Sequence, residues 1–297
     1  MPILLLLLVA LVSGLLIGLV FDRLAPAKGA TAAAADVVEE VAESSSRLRW
    51  WRARTDPSVA TGLALSAAVA VMIVAGFAIA VLAYLSRGNA TLASIDSSAA
   101  QWGNDHATHL SNRMLDWVTL MGDWPTVPLI LAILVYELRR MPNRNVVWFM
   151  LVVYAGDKIV TNGIKLLVDR ARPTLNPLAA TLGPAFPSGH SSTAASTYAA
   201  LALILARGRS ARVRALLAGA AGGIAVAVAS SRVLLDLHWL SDVVAGVLLG
   251  WAWFALCAIA FGGRRLNFAE PMEKATAEAP PAEPGTRPPR SRASAEV

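Results

Sequence analysis

Polar side chains interrupt the apolar sequence in three short clusters, and the first of them is cationic. It reads Lys165-Leu-Leu-Val-Asp-Arg-Ala-Arg172-Pro173. Lys165 and Arg172 are seven residues apart, so they share a face wherever the helix continues between them. Arg170 lies off that face and is expected to be a structural charge. Long cationic side chains often only snorkel at a helix end, so this cluster alone indicates no function.

The second cluster, Pro187-Ser188-Gly189-His190, directly precedes a predicted helix. A serine in this place is commonly an N-cap, which accounts for Ser188 but not for its neighbours. Gly189 lets a ligand approach the backbone closely, and the free N–H groups at a helix start attract anions. His190 can exchange a proton near neutral pH. The combination favours an anion site with a proton donor beside it.

The third cluster begins at Ser231-Arg232 and continues to His238 and Asp242. His238 and Asp242 are four residues apart, which on a helix places the carboxylate over the imidazole. Such a carboxylate holds one ring nitrogen protonated and leaves the other as a nucleophile or a base. For this cluster alone, the alternative is a buried pair that only satisfies itself.

The elements that position these clusters are expected to be transmembrane helices. Hydrophobic residues make up 56% of the 297 residues and charged residues 15%, whereas an ordinary soluble chain has about 25% charged residues. A span needs about 20 apolar residues, and runs of Ala, Leu and Gly favour closely packed helices. The predicted fold class is therefore an all-α integral membrane protein. Seven stretches qualify as spans: 3–20, 59–85, 115–136, 146–168, 191–206, 213–233 and 241–261.

The distribution of Lys and Arg predicts the orientation of these spans. Nineteen of the 26 basic residues fall on one side, in or directly beside segments 22–58, 137–145, 207–212 and 262–297. The positive-inside rule makes that side cytoplasmic, and the C-terminus lies there. All three clusters fall on the opposite, extracytoplasmic side, at the ends of spans four to seven. We expect a multi-pass protein of the plasma (inner) membrane.

Together the clusters describe one site. Lys165, Arg172 and Arg232 beside a helix N-terminus suit a dianion, most naturally phosphate. His190 and His238 would supply a proton donor and a nucleophile. The residues therefore predict phosphoryl transfer at the outer membrane surface, with the cations stabilising the equatorial oxygens.

The clusters resemble the signature of the type 2 phosphatidic acid phosphatase family, the membrane lipid phosphate phosphatases. That signature is Lys, six residues, Arg-Pro; then Pro-Ser-Gly-His; then Ser-Arg, five residues, His, three residues, Asp. All 11 defining positions are matched in order. The resemblance covers a six-helix core over 59–261 and excludes the first span, the linker and the tail.

The resemblance implies a role for each matched position. His238 would attack phosphorus and form a phosphohistidine, Asp242 would orient His238, and His190 would protonate the leaving oxygen and then activate water. Family members need no metal, so no cofactor and no metal site are expected. Asp236 stands where the family frequently has glycine. The residues that would hold the phosphoryl oxygens are Lys165, Arg172, Ser188, Gly189 and Arg232.

Polar residues outside the clusters give three further expectations. Asp123 is expected to be a polar kink in the third span that faces the bundle or the outer site. Asp157 and Lys158 are consecutive and do not face each other, so each is expected to find a partner on another helix. The stretch 97–112 is expected to be an interfacial helix that roofs the site.

The predicted organisation has four parts: an N-terminal transmembrane helix over 1–21, a cytoplasmic linker with a basic interfacial segment over 22–58, a six-helix lipid phosphatase domain over 59–261, and a disordered cytoplasmic tail over 262–297. The predicted function is metal-independent dephosphorylation of a lipid phosphate or diphosphate. Candidate substrates are undecaprenyl diphosphate, phosphatidylglycerophosphate and phosphatidate. A lipid phosphotransferase with the same pocket is the enzymatic alternative, and a transporter or scaffold is the non-enzymatic one. The expected partners are the lipid substrate and the bilayer, with no nucleic acid, and the oligomeric state stays open.

Overall fold

The computed structural model describes residues 60–262 and, near the N-terminus, Leu4, Leu8 and residues 10–15. In the longer range, side chains are described from residue 72 to residue 261, apart from those of residues 178 and 180. The predicted linker over 22–58 and the tail beyond residue 262 lie outside the described residues.

Residues 60–262 fold into eight α-helices and one 3₁₀ turn at Pro177–Thr181, with no strand in that range. The prediction of an all-α fold is confirmed. In chain order the helices are α1 (Ala60–Leu85), α2 (Ala90–Asp105), α3 (His109–Leu120), α4 (Thr126–Arg140), α5 (Asn145–Val168), α6 (Gly189–Leu205), α7 (Ala211–Leu234) and α8 (Leu240–Gly262).

Helix α6 forms the centre of the bundle, where α4, α5, α7 and α8 pack around it. It can occupy that place because its first half consists mainly of small Ser, Thr and Ala residues, which let neighbouring backbones approach closely. On α8, a Cβ added at Gly246 would lie 2.5 Å from the carbonyl oxygen of Ser188. Glycine at this position is therefore required for α8 to reach the start of α6.

A buried carboxylate joins α5 to α6. Asp157 is 1% exposed, and its two oxygens accept hydrogen bonds from Ser192 Oγ at 2.5 Å and Thr193 Oγ1 at 2.9 Å. Buried polar groups need such partners to offset the loss of water. The expected partner on another helix is therefore present for Asp157, and it fixes the first turns of α6 against α5.

The N-terminal helical residues pack against α7. A Cβ added at Gly14 would lie 2.7 Å from the carbonyl oxygen of Gly219, and one added at Gly223 would lie 3.0 Å from that of Ala10. Both helices thus present small residues four apart, the pattern that allows close helix contact in membranes.

Fewer helices qualify as independent spans than the seven predicted. Within the described residues, α7 and the stretch Leu240–Phe261 of α8 are each long and apolar enough to cross a membrane. Met72–Leu85 and Ala90–Asp105 qualify only as a pair bent by 90°, the shape of a broken span or a re-entrant loop. Helices α4 and α6 have 15 and 17 residues, and a span needs about 20.

The prediction of one continuous third span over 115–136 is wrong. Helix α3 ends at Leu120, residues 121–125 form turns, and α4 begins at Thr126. Pro125 disfavours helical conformation at the residue before it. Gly122 lets this corner contact α6, since an added Cβ would lie 2.8 Å from the carbonyl oxygen of His190.

Two helices, α2 and α3, occupy most of the stretch 97–112, which was expected to be one interfacial helix that roofs the site, and residues 106–108 separate them. Asn89 caps α2 by accepting a hydrogen bond from the N–H of Leu92 at 2.9 Å. The buried face of α2 carries Asp96, Ala100 and Gly103, and it packs against α7 and α8. A Cβ added at Gly103 would lie 3.2 Å from the Cα of Leu234, so the small residues on that face let the backbone of α2 approach the end of α7.

Candidate active site

The three polar clusters meet in one pocket of about 470 Å³, where α5 ends and α6 begins. Ser188 and Asp242 are fully buried and do not line it. Leu166, Leu182, Pro184 and Asn162 complete the wall. Six of the eight predicted site residues line the pocket: Lys165, Arg172, Gly189, His190, Arg232 and His238.

Backbone carbonyls hold two of the pocket cations. Arg172 donates to the carbonyl oxygen of Gly183 through Nε at 2.8 Å and to that of Leu237 through Nη1 at 2.6 Å. Lys165 Nζ donates to the carbonyl oxygen of Pro184 at 2.5 Å. These neutral acceptors orient the cations without neutralising them, so the positive charge stays available to an anion.

Arg232 provides a third, more deeply buried cation. It is 5% exposed, and its Nη1 donates to Thr119 Oγ1 at 2.9 Å. Its buried Nε–H has no hydrogen-bond partner among the described residues. An unpaired buried donor is costly, and a phosphoryl oxygen in the pocket would be a suitable acceptor for it.

His238 lies in the loop between α7 and α8, and its two ring nitrogens have different surroundings. Nε2 lies 3.0 Å from Arg172 Nη1, which can only donate, so Nε2 carries the lone pair. Nδ1 lies 3.6 Å from Asp242 Oδ2. Burial, followed by the charges of Arg172 and Arg232, lowers the pKa of His238 well below 6.5. The imidazole is therefore neutral at pH 7, as a nucleophile must be.

A charge network that sequence reasoning missed holds Asp242 in place. Arg170 donates to Asp242 Oδ1 at 2.6 Å and to Asp96 Oδ2 at 2.8 Å. Asp96 is 1% exposed and accepts the backbone N–H of Ser241 at 2.9 Å. Asp96 thus caps the start of α8 from another helix. The signal in the sequence was the spacing of Asp96, Ala100 and Gly103, which places a carboxylate on a small-residue face of α2.

The structural role expected of Arg170 agrees with this geometry. Trp239 completes the restraint on Asp242, because its backbone N–H donates to Asp242 Oδ2 at 2.9 Å. Its indole Nε1–H donates to the carbonyl oxygen of Ala171 at 2.8 Å. The two oxygens of Asp242 are therefore restrained separately, one by Arg170 and the other by the N–H of Trp239.

His190, in the first turn of α6, lies beside Asp123 at the α3–α4 corner. His190 Nε2 and Asp123 Oδ2 are 3.4 Å apart. The interaction with His190 lowers the pKa of Asp123 from 3.8 to about 2. Asp123 therefore lies beside the pocket that holds His190.

The start of α6 is open to a ligand. Ser188 occupies the N-cap position, but its side chain makes no capping hydrogen bond and instead accepts from Ser191 Oγ at 2.8 Å. A Cβ added at Gly189 would be 3.8 Å from Thr161 and 3.9 Å from Lys165, an ordinary contact distance. Packing therefore does not require glycine there, which agrees with close approach of a ligand to the backbone.

Comparison with known proteins confirms the resemblance seen in the sequence. Residues 146–266 match the model of the PAP2 superfamily. Phosphatidylglycerophosphatase B of Bacillus subtilis (strain 168) is 36% identical over 109 residues, 36% of this chain and 54% of that protein. Lipid A 1-phosphatase of Rhizobium johnstonii is 34% identical over 131 residues, 40% of this chain and 49% of that protein. The chain spans about half the length of these curated relatives.

A solved structure is similar over a larger share of the chain. The crystal structure of a transmembrane PAP2-type phosphatidylglycerolphosphate phosphatase from Bacillus subtilis aligns with a TM-score of 0.61 and 26% identity. The alignment covers 66% of this chain and 98% of the other. The fold described above is thus that of a membrane-embedded, multi-pass helical protein.

Proposed function

The chain carries a PAP2 superfamily region over residues 146–266, and from that premise we propose that it hydrolyses a lipid phosphate or diphosphate at the extracytoplasmic face of the membrane. One observation carries this proposal. Three cations and two histidines from separate parts of the sequence line the same pocket, and one of those cations has an unpaired buried donor. Such a pocket suits a phosphate dianion and supplies both groups that phosphoryl transfer needs.

In the first step, His238 Nε2 attacks phosphorus. The P–O bond to the lipid breaks as the N–P bond forms, and His190 gives its proton to the departing oxygen. Lys165, Arg172 and Arg232 stabilise the charge on the equatorial oxygens. Asp242 stabilises the positive charge that develops on the His238 ring. The product is a phosphohistidine and a free lipid hydroxyl or monophosphate.

In the second step, water replaces the histidine. His190, now neutral, takes a proton from water as the water oxygen attacks phosphorus and the N–P bond breaks. Phosphate leaves and the starting protonation states are restored. Gly189 contributes through its backbone at the start of α6, where N–H groups stabilise phosphoryl oxygens. The N–H of Ser188 donates to the carbonyl oxygen of Asp242 at 2.9 Å, so Ser188 supports the site by joining the start of α6 to α8. This replaces the predicted role of Ser188 in holding a phosphoryl oxygen, because its side chain is fully buried and accepts from Ser191 Oγ.

The surface of α5 supports a substrate with apolar tails. Leu166 lines the pocket and is 79% exposed, and Ile159, two turns earlier on the same face, is 73% exposed. A lipid can therefore lie along α5 with its headgroup in the pocket. The positive-inside pattern supports an extracytoplasmic pocket and a cytoplasmic C-terminus in the inner membrane. With this orientation, the proposal keeps the four parts expected from the sequence, with eight helices in place of six in the domain over 59–261.

The candidate substrates are phosphatidylglycerophosphate, phosphatidate and undecaprenyl diphosphate. Phosphatidylglycerophosphate has the additional support of a curated relative and a solved relative whose names specify it. The lipid A 1-phosphatases broaden the class to other phosphorylated lipids.

Phosphate release by the purified protein in detergent, with EDTA present, tests the proposal. The three lipids and a soluble phosphomonoester are each assayed with the wild type and with His238→Ala. Release from one lipid by the wild type, lost in His238→Ala, is the expected result. No release by well-folded wild type would count against hydrolysis. Release only after addition of a lipid or sugar acceptor would indicate a phosphotransferase.

A further inference from the structure

The two histidines of the pocket each have a carboxylate beside them, but the sequence motif includes only one of those carboxylates. Asp242 belongs to the third cluster, whereas Asp123 lies in a turn between α3 and α4, remote in sequence from every cluster. Its Oδ2 is 3.4 Å from His190 Nε2. The proposed mechanism requires His190 to give and take a proton, and it assigns no group to orient the ring.

We propose that Asp123 is a positioning residue for His190, holding the Nε2 proton so that Nδ1 exchanges the proton with the substrate. The proton on one ring nitrogen is fixed by the partner of that nitrogen. With Nε2–H directed at Asp123, neutral His190 has its lone pair on Nδ1. Protonated His190 carries an N–H there as well. The inference rests on the proposed function, because it assigns the atom through which His190 acts.

The corner that carries Asp123 is built against the start of α6. A Cβ added at the neighbouring Gly122 would lie 2.7 Å from Val228 Cγ1 and 3.1 Å from His190 Cβ. The buried side chain of Thr126 holds the backbone of the turn, because its Oγ1 donates to the carbonyl oxygen of Asp123 at 2.7 Å. A general surface carboxylate would have neither restraint. The packing fixes Asp123 at the imidazole edge.

The charges around His190 give Asp123 a second effect. Burial lowers the pKa of His190, and the charges of Arg232 and Lys158 lower it further. Asp123 is the anion that acts on His190, and its own low pKa keeps it charged at neutral pH. Asp123 therefore offsets part of the repulsion that a protonated His190 meets in a pocket lined by cations.

The proton balance follows directly. In the first step, Nδ1–H of His190 transfers its proton to the leaving oxygen as the P–O bond breaks and the bond from His238 to phosphorus forms. In the second step, Nδ1 accepts a proton from water as that water displaces His238. The proton on Nε2 stays with His190 beside Asp123 throughout.

The experiment separates orientation of a proton donor from general support of the fold. Asp123→Asn is compared with wild type and with Asp105→Asn, an exposed acid at the end of α2. Each is assayed with short-chain phosphatidate, whose alkoxide leaves poorly, and with p-nitrophenyl phosphate, whose leaving group departs without a proton. The rate of the first turnover is measured with both substrates.

We expect Asp123→Asn to lower kcat on phosphatidate at least about tenfold, with KM changed less than about threefold, because general acid catalysis contributes about 10²–10⁴-fold. The first-turnover release of nitrophenolate should stay within about twofold of wild type. Asp105→Asn should match wild type on both substrates, and Asp123→Glu should restore part of the lost kcat. An equal loss on both substrates, or no loss on either, overturns the inference.

A measurement on the wild type keeps the inference testable even if the variants fold poorly. The ¹⁵N shifts of the His190 ring, assigned by comparison with His190→Gln, should report the Nε2–H tautomer at a pH where the ring is neutral. An Nδ1–H tautomer would contradict the inference. Wild type that releases phosphate from none of the three candidate lipids and not from p-nitrophenyl phosphate overturns the proposed function and the inference together. An active wild type with a substrate-independent loss in Asp123→Asn overturns the inference alone.

Discussion

The two histidine–aspartate pairs of the pocket differ most in their access to water. The side chains of His238 and Asp242 are 2% and 0% exposed, whereas those of His190 and Asp123 are 24% and 42% exposed. A nucleophile gains from a dry surrounding that keeps the imidazole neutral, as the lowered pKa of His238 indicates. A proton donor that must later activate water needs access to it. The exposure of each pair thus matches the chemistry proposed for it.

The pairs also differ in how their carboxylates are held. Asp242 is restrained by Arg170 and by the N–H of Trp239, and Arg170 is in turn held by Asp96. Asp123 has a partly exposed carboxylate on a turn, and its backbone is fixed by Thr126 and by the close packing of Gly122. The buried pair is therefore sensitive to distant charges, whereas the open pair depends on the position of one turn.

Removing the nucleophile should give the largest loss of activity, and it tests the role of the buried pair His238–Asp242. His238→Ala should lower kcat at least about 10⁴-fold, because loss of a nucleophile in a covalent mechanism is of that order or greater. No acid-labile phosphoprotein should form with any substrate. Phosphate release and phosphoprotein trapping with ³²P-labelled lipid check this, and trapped phosphoprotein in the variant would remove the nucleophile assignment.

Removing the open histidine should give the next largest effect, and it should depend on the substrate. His190→Ala should lower kcat on lipid phosphate by about 10²–10⁴-fold, the range of general acid–base catalysis. With p-nitrophenyl phosphate the first step needs no donor while the second still needs a base, so phosphoprotein should accumulate. Quenched-flow trapping measures it. If His190→Ala accumulates no phosphoprotein, the different roles assigned to the two histidine–aspartate pairs are wrong.

A smaller loss of activity is expected on removing the charge of Asp96, which contacts the buried pair through Arg170. Asp96→Asn leaves Arg170 with Asp242 as its remaining anion and weakens the cap at Ser241. Loss of one partner from a buried ion pair costs about 3–5 kcal/mol, so the variant should unfold at lower temperature and lose about tenfold in kcat. Thermal unfolding in detergent and kcat are the measurements, with Ser98→Ala on the exposed face of α2 as the control. Unchanged unfolding would show that Asp96 does not support Asp242.

Whether a feature could be predicted from the sequence depends on how far apart in the chain its contacting residues lie. The motif spacing was enough to predict six residues lining one pocket, because each cluster lies at a helix end and the spans bring those ends together. Asp96 was not singled out, and Asp123 was placed at the bundle or the outer site without a role, because each reaches the site through a contact between elements distant in sequence. The break at residues 121–125 was missed as well. Gly122, Asp123 and Pro125 are turn residues, but the apolar stretches on both sides were combined into one span.

The smallest effect is expected on stability, from Asp236 in the loop that carries His238. This effect can be separated into a backbone contribution and a charge contribution. Asp236 has a φ of +54°, a left-handed conformation that glycine adopts without penalty. This conformation favours glycine, the residue that the family resemblance leads one to expect at this position. Its Oδ1 is buried without a hydrogen-bond partner among the described residues. Asp236→Gly should therefore stabilise the protein by about 1 kcal/mol, the order of the left-handed penalty.

The stability gained in Asp236→Gly should increase as the pH rises. Burial raises the pKa of Asp236 from 3.8 to about 6, so between those values the folded state binds more protons than the unfolded state. The free energy of unfolding of the wild type therefore falls as pH rises from about 4 to about 6. Asp236→Gly removes that fall, so its advantage should be smallest near pH 4 and largest above pH 6.

Asp169→Gly provides the matched control, because Asp169 has a φ of +47° but is exposed at the end of α5. Relief of the backbone conformation is the gain expected there, whereas Asp236→Gly also removes a buried carboxylate. Unfolding of both variants and the wild type, measured across this pH range, separates the two contributions. If the two variants show the same pH profile, burial of Asp236 does not oppose folding. The dry surrounding inferred for His238 would then need another cause.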